Sequence, residues 1–277
     1  MIISIASGKG GTGKTTVAVN LALSLENVQL IDCDVEEPND HIFLDPDIER
    51  IEDVYVECPV IDKERCNLCG QCASFCMYNA IAVTKEEVIV FPELCHSCGG
   101  CKLVCPRDAI TYERRTIGRV KSGRAKHVEF HMGVMNPGEI RAIPIVKQLK
   151  GKIDRKKVVI LDAPPGAGCL VIEAIEGSDF CILVTEPTPF GLYDLKLAVD
   201  VVRKLRIPFG VVINKDGMGD RRVEIFCSRE NIPILMRIPF DRKIADLYSM
   251  GVPFVLEMEE WKERFRIMVD GIEERLA

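Results

Sequence analysis

A chain of 277 residues, 47% of them hydrophobic and with a net charge of −6, is long enough for one large α/β domain with a small module, or for two modest domains. The acidic balance argues against nucleic acid as the main partner, because neutralising phosphates needs a basic surface. The apolar content argues against disorder. We expect a cytoplasmic protein without stable membrane insertion, because the first motif leaves no room for a signal peptide and no run of about 18 apolar residues occurs.

The chain begins with a predicted strand, a glycine-rich loop and a helix. The apolar run IISIA (2–6) predicts a buried strand, and VAVNLALSLE (17–26) has the apolar spacing of a helix. VQLIDCD (28–34) predicts a second buried strand. This order indicates the start of a mostly parallel α/β sheet.

The loop between that strand and helix, GKGGTGKTT (8–16), satisfies the pattern G-x4-G-K-[ST]. Its backbone N–H groups are expected to surround phosphate oxygens at a helix N-terminus, where the helix dipole favours anions. Lys14 should reach the β- and γ-phosphates of a nucleotide, and the Thr15 hydroxyl should bind Mg²⁺. The candidate nucleotide-contacting residues of the loop are Gly8, Gly10, Gly11, Thr12, Gly13, Lys14, Thr15 and Thr16.

A cysteine-rich segment, residues 58–113, interrupts the α/β alternation and contains an internal repeat. CNLCGQCASFCMYNAI (66–81) and CHSCGGCKLVCPRDAI (95–110) share their cysteine spacing and the Ala-Ile that follows. Both read C-x2-C-x2-C-x3-C, the spacing that holds 4Fe–4S clusters. Zinc and unrelated core thiols are the alternatives. Zinc sites usually pair cysteines across a longer gap, and cluster ligation would supply folding energy that so small an insert lacks.

The α/β pattern resumes after a polar stretch. RRTIGRVKSGRAKHVEF (114–130) predicts a hairpin whose turn is at Ser122-Gly123. The later predicted elements are a helix at 140–150, a strand at 157–162, a strand at 179–187, a helix at 192–205 and a strand at 209–215. The economical interpretation is one discontinuous domain, 1–57 and 114–277, with an inserted module at 58–113.

The strand VVILD (158–162) runs into the loop APPG. An aspartate at the tip of a buried strand beside a phosphate loop can hold the Mg²⁺ shell through water, so Asp162 is a candidate metal residue. A simple capping role is the alternative. Gly166 is a candidate donor of its backbone N–H to the γ-phosphate.

The segments KGGTGKT with Lys9, LIDCDVEEPN (30–39) and DAPPG (162–166) resemble the deviant Walker-A ATPases of the MinD, ParA and nitrogenase iron protein group. The resemblance covers both flanks of the insert and implies ATP hydrolysis by an ATP-dependent homodimer, or by a dimer with a paralogue. It implies that Lys9 crosses the interface to the partner's nucleotide, that Asp34 positions the attacking water and that Asp32 supports Mg²⁺. Two more positions match: Asn214 for the adenine edge, with a strand-end turn as its alternative, and Pro239 near the base.

The insert resembles two-cluster bacterial ferredoxins over nearly its whole length. The chain is therefore similar to MinD-superfamily P-loop ATPases with an inserted ferredoxin (α+β) domain. The resemblance implies one 4Fe–4S cluster on Cys66, Cys69, Cys72 and Cys105, and a second on Cys76, Cys95, Cys98 and Cys101. Met77 departs from the pattern, which has proline there, as Pro106 does after the second quartet; that proline shapes the turn and binds no metal.

The remaining cysteines and histidines carry weaker signals. Cys169 follows Asp162 at the spacing of the cluster-bridging cysteine of nitrogenase iron protein. No second cysteine precedes it in 130–140, so a structural thiol is favoured. A structural role is also favoured for His127 and His131. The thiols expected in the core are Cys33, Cys58, Cys181 and Cys227.

Two further segments of the chain are rich in charged residues. The basic run in 114–126 predicts a solvated hairpin, with an acidic docking partner as the alternative. The C-terminal helix at 257–276 is acidic on its polar side, unlike membrane-surface helices. We expect its apolar side to pack against the sheet.

Together these patterns predict an ATP-hydrolysing dimer whose nucleotide state controls an iron–sulfur electron-transfer module, with a partner in redox metabolism or metallocluster assembly. One alternative is an iron–sulfur cluster carrier for apo-proteins. Complete cysteine quartets favour fixed clusters over releasable ones. The other is a ParA/MinD-like positioning ATPase with structural clusters, against which the acidic C-terminal helix counts.

Overall fold

A nine-stranded sheet organises the fold in the computed structural model, which describes residues 1–276. Ala277 lies outside the described residues; it is the last residue of the predicted discontinuous domain, 1–57 and 114–277, which is called the host domain below. The sheet strands are β1 (Ile2–Ala6), β2 (Val28–Asp32), β3 (Asp47–Ile61), β6 (Ile110–Ala125), β7 (Val128–Met135), β8 (Val158–Asp162), β9 (Phe180–Thr185), β10 (Phe209–Asp216) and β11 (Ile234–Pro239). Their order across the sheet is β11-β10-β9-β1-β8-β2-β7-β6-β3. A separate hairpin is formed by β4 (Ile81–Val83) and β5 (Val88–Val90).

Helices cover both faces of the parallel part of the sheet, from β11 to β7. For this reason β1, β2 and β9 are buried throughout and read as continuous apolar runs rather than alternating ones. One face is covered by α5 (Ile143–Lys150), α6 (Cys169–Ile175), α7 (Pro189–Lys204) and α8 (Arg222–Arg229). The other carries α1 (Lys14–Ser24), α9 (Arg242–Ser249) and α10 (Glu260–Leu276), while α2 (Asp40–Leu44) follows the end of β2.

The apolar side of the C-terminal helix α10, with Trp261, Phe265 and Ile272 buried, packs against α1 and the short 3-10 helix Phe254–Leu256, within the same core cluster as the sheet residues of that face. The Arg266 Nε donates to the Ser24 carbonyl oxygen at 2.8 Å. Among residues 1–276, no helix is both long and apolar enough to cross a bilayer.

The cysteine-rich segment is carried on a long antiparallel ribbon of β3 and β6, in which Asp47 pairs with Arg124 and Ile61 with Ile110. Only the second half of β6, from Gly118 onward, pairs with β7. The first eight residues of β6, 110–117, therefore extend about 26 Å beyond β7. Both strands continue through the predicted boundaries at residues 57 and 113. Because β6 runs antiparallel to β7, this overhang lies at the carboxyl edge of the parallel strands.

The predicted hairpin exists, but the predicted turn at Ser122-Gly123 is wrong. The chain turns at Lys126 and His127, where Lys126 has a φ of 54°. Gly123 lies within β6, opposite Phe130 of β7 and Ile48 of β3. A Cβ at Gly123 would lie 1.9 Å from the Asp47 carbonyl oxygen. The glycine therefore serves a close approach between strands rather than a turn.

The segment at the ribbon's tip repeats in its backbone as well as in its sequence. It contains α3 (Gln71–Phe75), the β4–β5 hairpin and α4 (Gly100–Leu103). Left-handed backbone conformations recur 29 residues apart, at Leu68 and Ser97, with φ of 58° and 54°, and at Asn79 and Asp108, with φ of 52° and 47°.

Candidate functional site

The phosphate-type loop connects β1 to α1, at the centre of the sheet. Gly13 precedes the helix with a φ of 94°, and a Cβ there would lie 2.2 Å from the Asn214 amide nitrogen. A Cβ at Gly8 would lie 2.1 Å from the Asp194 carbonyl oxygen. Both glycines are required by close packing of the loop on β10 and α7. The loop thus has a fixed path, with Gly10 and Gly11 exposed at its tip.

Two aspartates stand side by side at the ends of β2 and β8, where Asp32 and Asp162 are paired in register. The Thr15 hydroxyl donates to Asp162 Oδ2 at 2.9 Å. The Asp32 carboxylate accepts backbone N–H groups of Asp34 at 3.0 Å, Asn39 at 3.0 Å and Asp40 at 3.2 Å. Asp32 therefore holds the turn that leads into α2, and Asp162 lies against the residue predicted to bind Mg²⁺.

Asp40 is a member of this cluster that the sequence analysis did not identify. It is fully buried, and neither of its carboxylate oxygens, nor Oδ1 of Asp162, has a hydrogen-bond donor. Burial, together with the neighbouring carboxylates, raises the pKa of both Asp32 and Asp40 well above the ordinary range. Burial also raises the pKa of Asp162, against the opposing charge of Lys14. In the sequence, Asp40 was marked only by its position after the turn residues Pro38 and Asn39.

Lys14 and Asp34 face one another beside these carboxylates. The Lys14 side chain is buried at the N-terminus of α1. Burial raises the pKa of Asp34 to about 6, although the charge of Lys14 opposes that rise. A carboxylate with such a pKa exchanges protons near neutral pH, which suits a group that orients water.

Gly166, Asn214 and Pro239 have contacts of their own in this structure. The Gly166 N–H donates to the Ser7 carbonyl oxygen at 3.0 Å. The Asn214 amide donates to the Thr12 carbonyl oxygen at 2.9 Å and accepts from the Lys215 N–H at 2.9 Å. Asn214 therefore anchors the phosphate-type loop. Pro239 lies exposed at the end of β11, in register with Asp216. The nucleotide contacts expected of these three residues stay predictions.

Lys9 points to a glutamate of its own chain that the sequence analysis did not single out. Its Nζ lies 3.4 Å from Glu186 Oε2, and Glu186 is largely buried at the end of β9. Lys215 pairs with the other oxygen of the same carboxylate and approaches the Gly11 carbonyl oxygen at 3.4 Å. Glu186 thus holds two lysines beside the tip of the loop.

The eight cysteines of the repeat line two separate cavities. One is lined by Cys66, Cys69, Cys72 and Cys105. The other is lined by Cys76, Cys95, Cys98 and Cys101. Each cavity draws three cysteines from one half of the repeat and the fourth from the other half. Within residues 1–276, no three His, Cys, Asp or Glu side chains converge closely enough to hold a single metal ion.

The five cysteines outside the repeat divide by burial. Cys33, Cys58, Cys181 and Cys227 are buried, which confirms the prediction of core thiols. Cys169 is the first residue of α6 and is exposed, so it is not the buried structural thiol that the sequence favoured. His131 is buried and structural, with contacts to Gln29, Ser122 and Glu129. His127 is exposed in the turn before β7.

A buried ion-pair network joins the host domain to the second cavity. The Arg141 guanidinium donates to both carboxylate oxygens of Glu139, at 2.7 and 3.0 Å, and to the Cys95 carbonyl oxygen at 2.7 Å. Arg115, on β6, pairs with the same glutamate. Part of the predicted solvated basic run is therefore used in this network. Arg119 pairs with Asp53 across the ribbon.

Comparisons with known proteins agree with this fold. The family model described as the CobQ/CobB/MinD/ParA nucleotide binding domain matches residues 3–254. An uncharacterized protein of Methanocaldococcus jannaschii is 31% identical over 264 residues, which is 92% of this chain and 91% of that relative. An iron-sulfur cluster carrier protein of Pyrococcus horikoshii is 27% identical, over 92% of this chain and 79% of the relative. The chain belongs to the CobQ/CobB/MinD/ParA nucleotide-binding family.

Solved structures show the same architecture. The cell division ATPase MinD of Pyrococcus furiosus superposes with a TM-score of 0.59 at 22% identity, covering 100% of this chain and 99% of that chain. MinD of Pyrococcus horikoshii in complex with Mg-ADP gives a TM-score of 0.57 at 24% identity, covering 100% of this chain and 98% of that chain. This likeness shows the shared P-loop fold, a mostly parallel α/β sheet.

Proposed function

We propose that the protein is an ATP-hydrolysing dimer in which the nucleotide state governs a two-cluster iron–sulfur module that transfers electrons. The observation that carries the proposal is the division of eight cysteines into two cavities on a ribbon beside a phosphate-binding loop. Family membership supports nucleotide binding. The substrate is ATP, and the reaction is transfer of its γ-phosphoryl group to water.

The nucleotide half rests on a small set of side chains. Lys14, buried at the start of α1, is the group proposed to contact the β- and γ-phosphates, and half-buried Asp34 is the group proposed to orient the attacking water. Thr15 and Asp162 are already hydrogen-bonded to each other and would hold Mg²⁺, with Asp32 in support. Mg²⁺ takes several of its oxygen ligands from water and phosphates, so few protein ligands suffice. When bound, it neutralises charge that develops on the phosphates.

The donor set fits two 4Fe–4S clusters. Each cavity offers four thiols, and the sulfurs are not gathered around one point as zinc, at about 2.3 Å from each sulfur, requires. A cube-shaped cluster spreads its four ligands over a larger volume. Bound clusters would supply single-electron carriers, and the chain's part is to hold them, to exclude water and to set the local charge.

A chain of contacts supports coupling between the two halves. Asp34 lies in the loop held by Asp32, and the carbonyl oxygen of the next residue, Val35, accepts the Met135 N–H at 2.9 Å. Met135 ends β7, and the segment that follows contains Arg141, which donates to the carbonyl oxygen of Cys95 at the second cavity. Movement of the Asp34 loop with the γ-phosphate would reach the cluster module by this route.

Cluster transfer to apo-proteins is the second candidate function. It is favoured by the relatives named iron-sulfur cluster carrier proteins, which the chain matches over most of its length. Complete cysteine quartets argue for retention, because a carrier needs releasable clusters. The redox or metallocluster-assembly partner is proposed in either case as a protein that receives electrons or a cluster.

Spectroscopy of anaerobically purified protein tests the main proposal. We expect about eight irons per chain, a reduced-cluster EPR signal and a change in that signal on addition of MgATP. The Lys14→Ala variant is the matched control: it should keep its iron and lose the response to ATP. Iron well below this level, or a signal that ATP leaves unchanged, would contradict it. Loss of iron to an apo-acceptor protein during ATP turnover would favour the carrier function.

A further inference from the structure

Arg141 occupies an unusual position between the nucleotide-binding domain and the cysteine module. It lies between β7 and α5, its side chain is only 6% exposed, and it reaches into the loop of the second quartet. There it donates to the Cys95 carbonyl oxygen at 2.7 Å and to the Ser97 hydroxyl at 3.1 Å. A buried guanidinium is thus hydrogen-bonded directly to a cysteine loop.

The network around Arg141 carries a net positive charge. Glu139 pairs with both arginines. Its carboxylate accepts two hydrogen bonds from Arg141, and its Oε2 also pairs with Arg115; its side chain is 2% exposed. The hydrogen bond from Arg141 helps to lower the pKa of Glu139 to about 2, although burial alone would raise it. Two guanidinium charges against one carboxylate leave one positive charge beside the cavity of Cys95. Burial of Arg141 and Glu139 limits the screening of this charge by solvent, although the Arg115 side chain is 30% exposed.

The other half of the repeat has no buried equivalent of Arg141 among the described residues; its nearest counterpart is Arg107, whose Nε approaches the Arg65 carbonyl oxygen, next to Cys66, at 3.5 Å. Cys66 is the counterpart of Cys95, and Leu68 takes the same left-handed backbone conformation as Ser97 but presents an aliphatic side chain. The charged side chain that lines the first cavity is Arg107, which is exposed. The two cavities therefore share their ligand spacing and differ in their electrostatic surroundings.

We propose that Arg141 is a positioning residue that raises the reduction potential of the cluster on Cys76, Cys95, Cys98 and Cys101, so that a transferred electron rests on that cluster rather than on its twin. The inference rests on the proposed cluster binding. In the step concerned, one electron passes from a one-electron donor to a cluster, the cluster's charge falls by one, and no bond is made or broken. A fixed positive charge stabilises the more negative, reduced form.

The difference in potential gives electron transfer a direction, from the first cluster to the second. The electron rests on the cluster that contacts the host domain, at the end of the contact route from Asp34 through Val35 and Met135. The first cluster, on the far side of the Arg141 network, becomes the entry or exit point for a partner. Nucleotide-driven movement of the Arg141 segment would change the potential of the resting site first.

An EPR-monitored redox titration with dithionite tests the proposal on the intact protein. We expect two midpoint potentials in the native chain. Arg141→Gln should lower the higher one by about 59 mV or more, a tenfold or larger change in the distribution of the electron, and leave the lower one in place. Arg141→Lys should retain most of the native value, since it keeps the charge. Arg107→Gln, at the exposed arginine of the first cavity, is the matched control and should not move the higher potential.

Arg141→Gln leaves the Glu139 carboxylate with fewer partners, so Glu139→Gln/Arg141→Gln is measured beside it. The double variant keeps one positive charge, on Arg115, and should recover part of the native potential. Iron analysis accompanies each titration. About eight irons per chain with an unchanged higher potential in Arg141→Gln would overturn the role of Arg141 and leave the proposed function standing. A native chain that holds no clusters would overturn the proposed function and this inference together.

Discussion

The Lys14 side chain lies close to the carboxylates of Asp34 and Asp162, and the charge balance of the site depends on it. Its charge opposes the burial that raises the pKa of Asp34 and of Asp162. Without it, the acidic residues would face the nucleotide phosphates with no buried cation between them. The loop would then repel the charge that it has to stabilise.

We therefore expect Lys14→Ala to lower the rate of ATP hydrolysis on the order of 10² or more, because the lysine stabilises charge in the transition state. Steady-state phosphate release measures the loss. Lys204→Ala, at an exposed lysine in the last turn of α7, should retain native turnover. Native turnover in the Lys14→Ala variant would remove this residue from the mechanism.

Single residues show where sequence patterns suffice. The loop, Asp162 and the cysteine spacing stand out from local sequence, and Asp32 from the family resemblance; the roles assigned to them stay predictions. Asp40, Glu186 and Arg141 were not, because each acquires its role from a distant segment: Asp162, Lys9 and Cys95 respectively. No short-range pattern marks such contacts.

Strands β2, β6 and β7 are joined by a buried polar network around His131. Its ring contacts the Ser122 hydroxyl at 2.8 Å and the Glu129 carboxylate at 3.0 Å, and Gln29 approaches from β2 at 3.0 Å. Burial lowers the pKa of His131, partly offset by Glu129. The unfolded chain consequently takes up a proton on this imidazole before the folded chain does.

This linkage predicts that stability falls as the pH drops below about 6.5, where the unfolded histidine binds its proton. His131→Gln should lessen the fall between pH 7.5 and 5.5 by up to about 1 kcal/mol. Urea unfolding at several pH values, in the absence of oxygen, gives the comparison. His127→Gln, in the exposed turn, controls for loss of an imidazole, and equal pH profiles for native chain and His131→Gln would refute the linkage.

At the level of elements, the position and length of the apolar runs in the sequence predicted β1, β2, β8 and β9 well, because buried parallel strands are continuous apolar runs. The prediction of a turn at Ser122-Gly123 was wrong because a glycine is also required where two strands approach closely. Here Gly123 lies against Asp47 of β3, which is distant in the sequence. Helix α5 begins later than the pattern suggested, at Ile143, with Pro144 in its first turn.

For the whole molecule, Lys9 connects the phosphate loop to assembly. Within one chain it pairs with Glu186, so the proposed contact with a partner's nucleotide requires it to leave this carboxylate. We expect Lys9→Ala to bind ATP and to hydrolyse it at least tenfold more slowly. Equilibrium nucleotide binding and steady-state turnover separate the two effects.

A mixture of Lys9→Ala and Lys14→Ala chains distinguishes action across the dimer from action within one chain. A mixed dimer has one complete site, with Lys14 from one chain and Lys9 from the other. Random pairing should therefore restore about a quarter of native turnover. No recovery on mixing would mean that Lys9 acts in its own chain.

The pairing of Ile61 with Ile110 brings both ends of the cysteine module to neighbouring positions on the ribbon. Replacing residues 62–109 with a two-residue Asn-Gly turn should close the ribbon as an ordinary hairpin. The shortened chain should fold, bind ATP and hold no iron, as circular dichroism, nucleotide binding and iron analysis would show. An unfolded product would mean that the host sheet depends on the module. A module attached in this way can be gained, lost or exchanged in evolution at one hairpin tip, so the nucleotide-binding domain and the cysteine module can have separate ancestries.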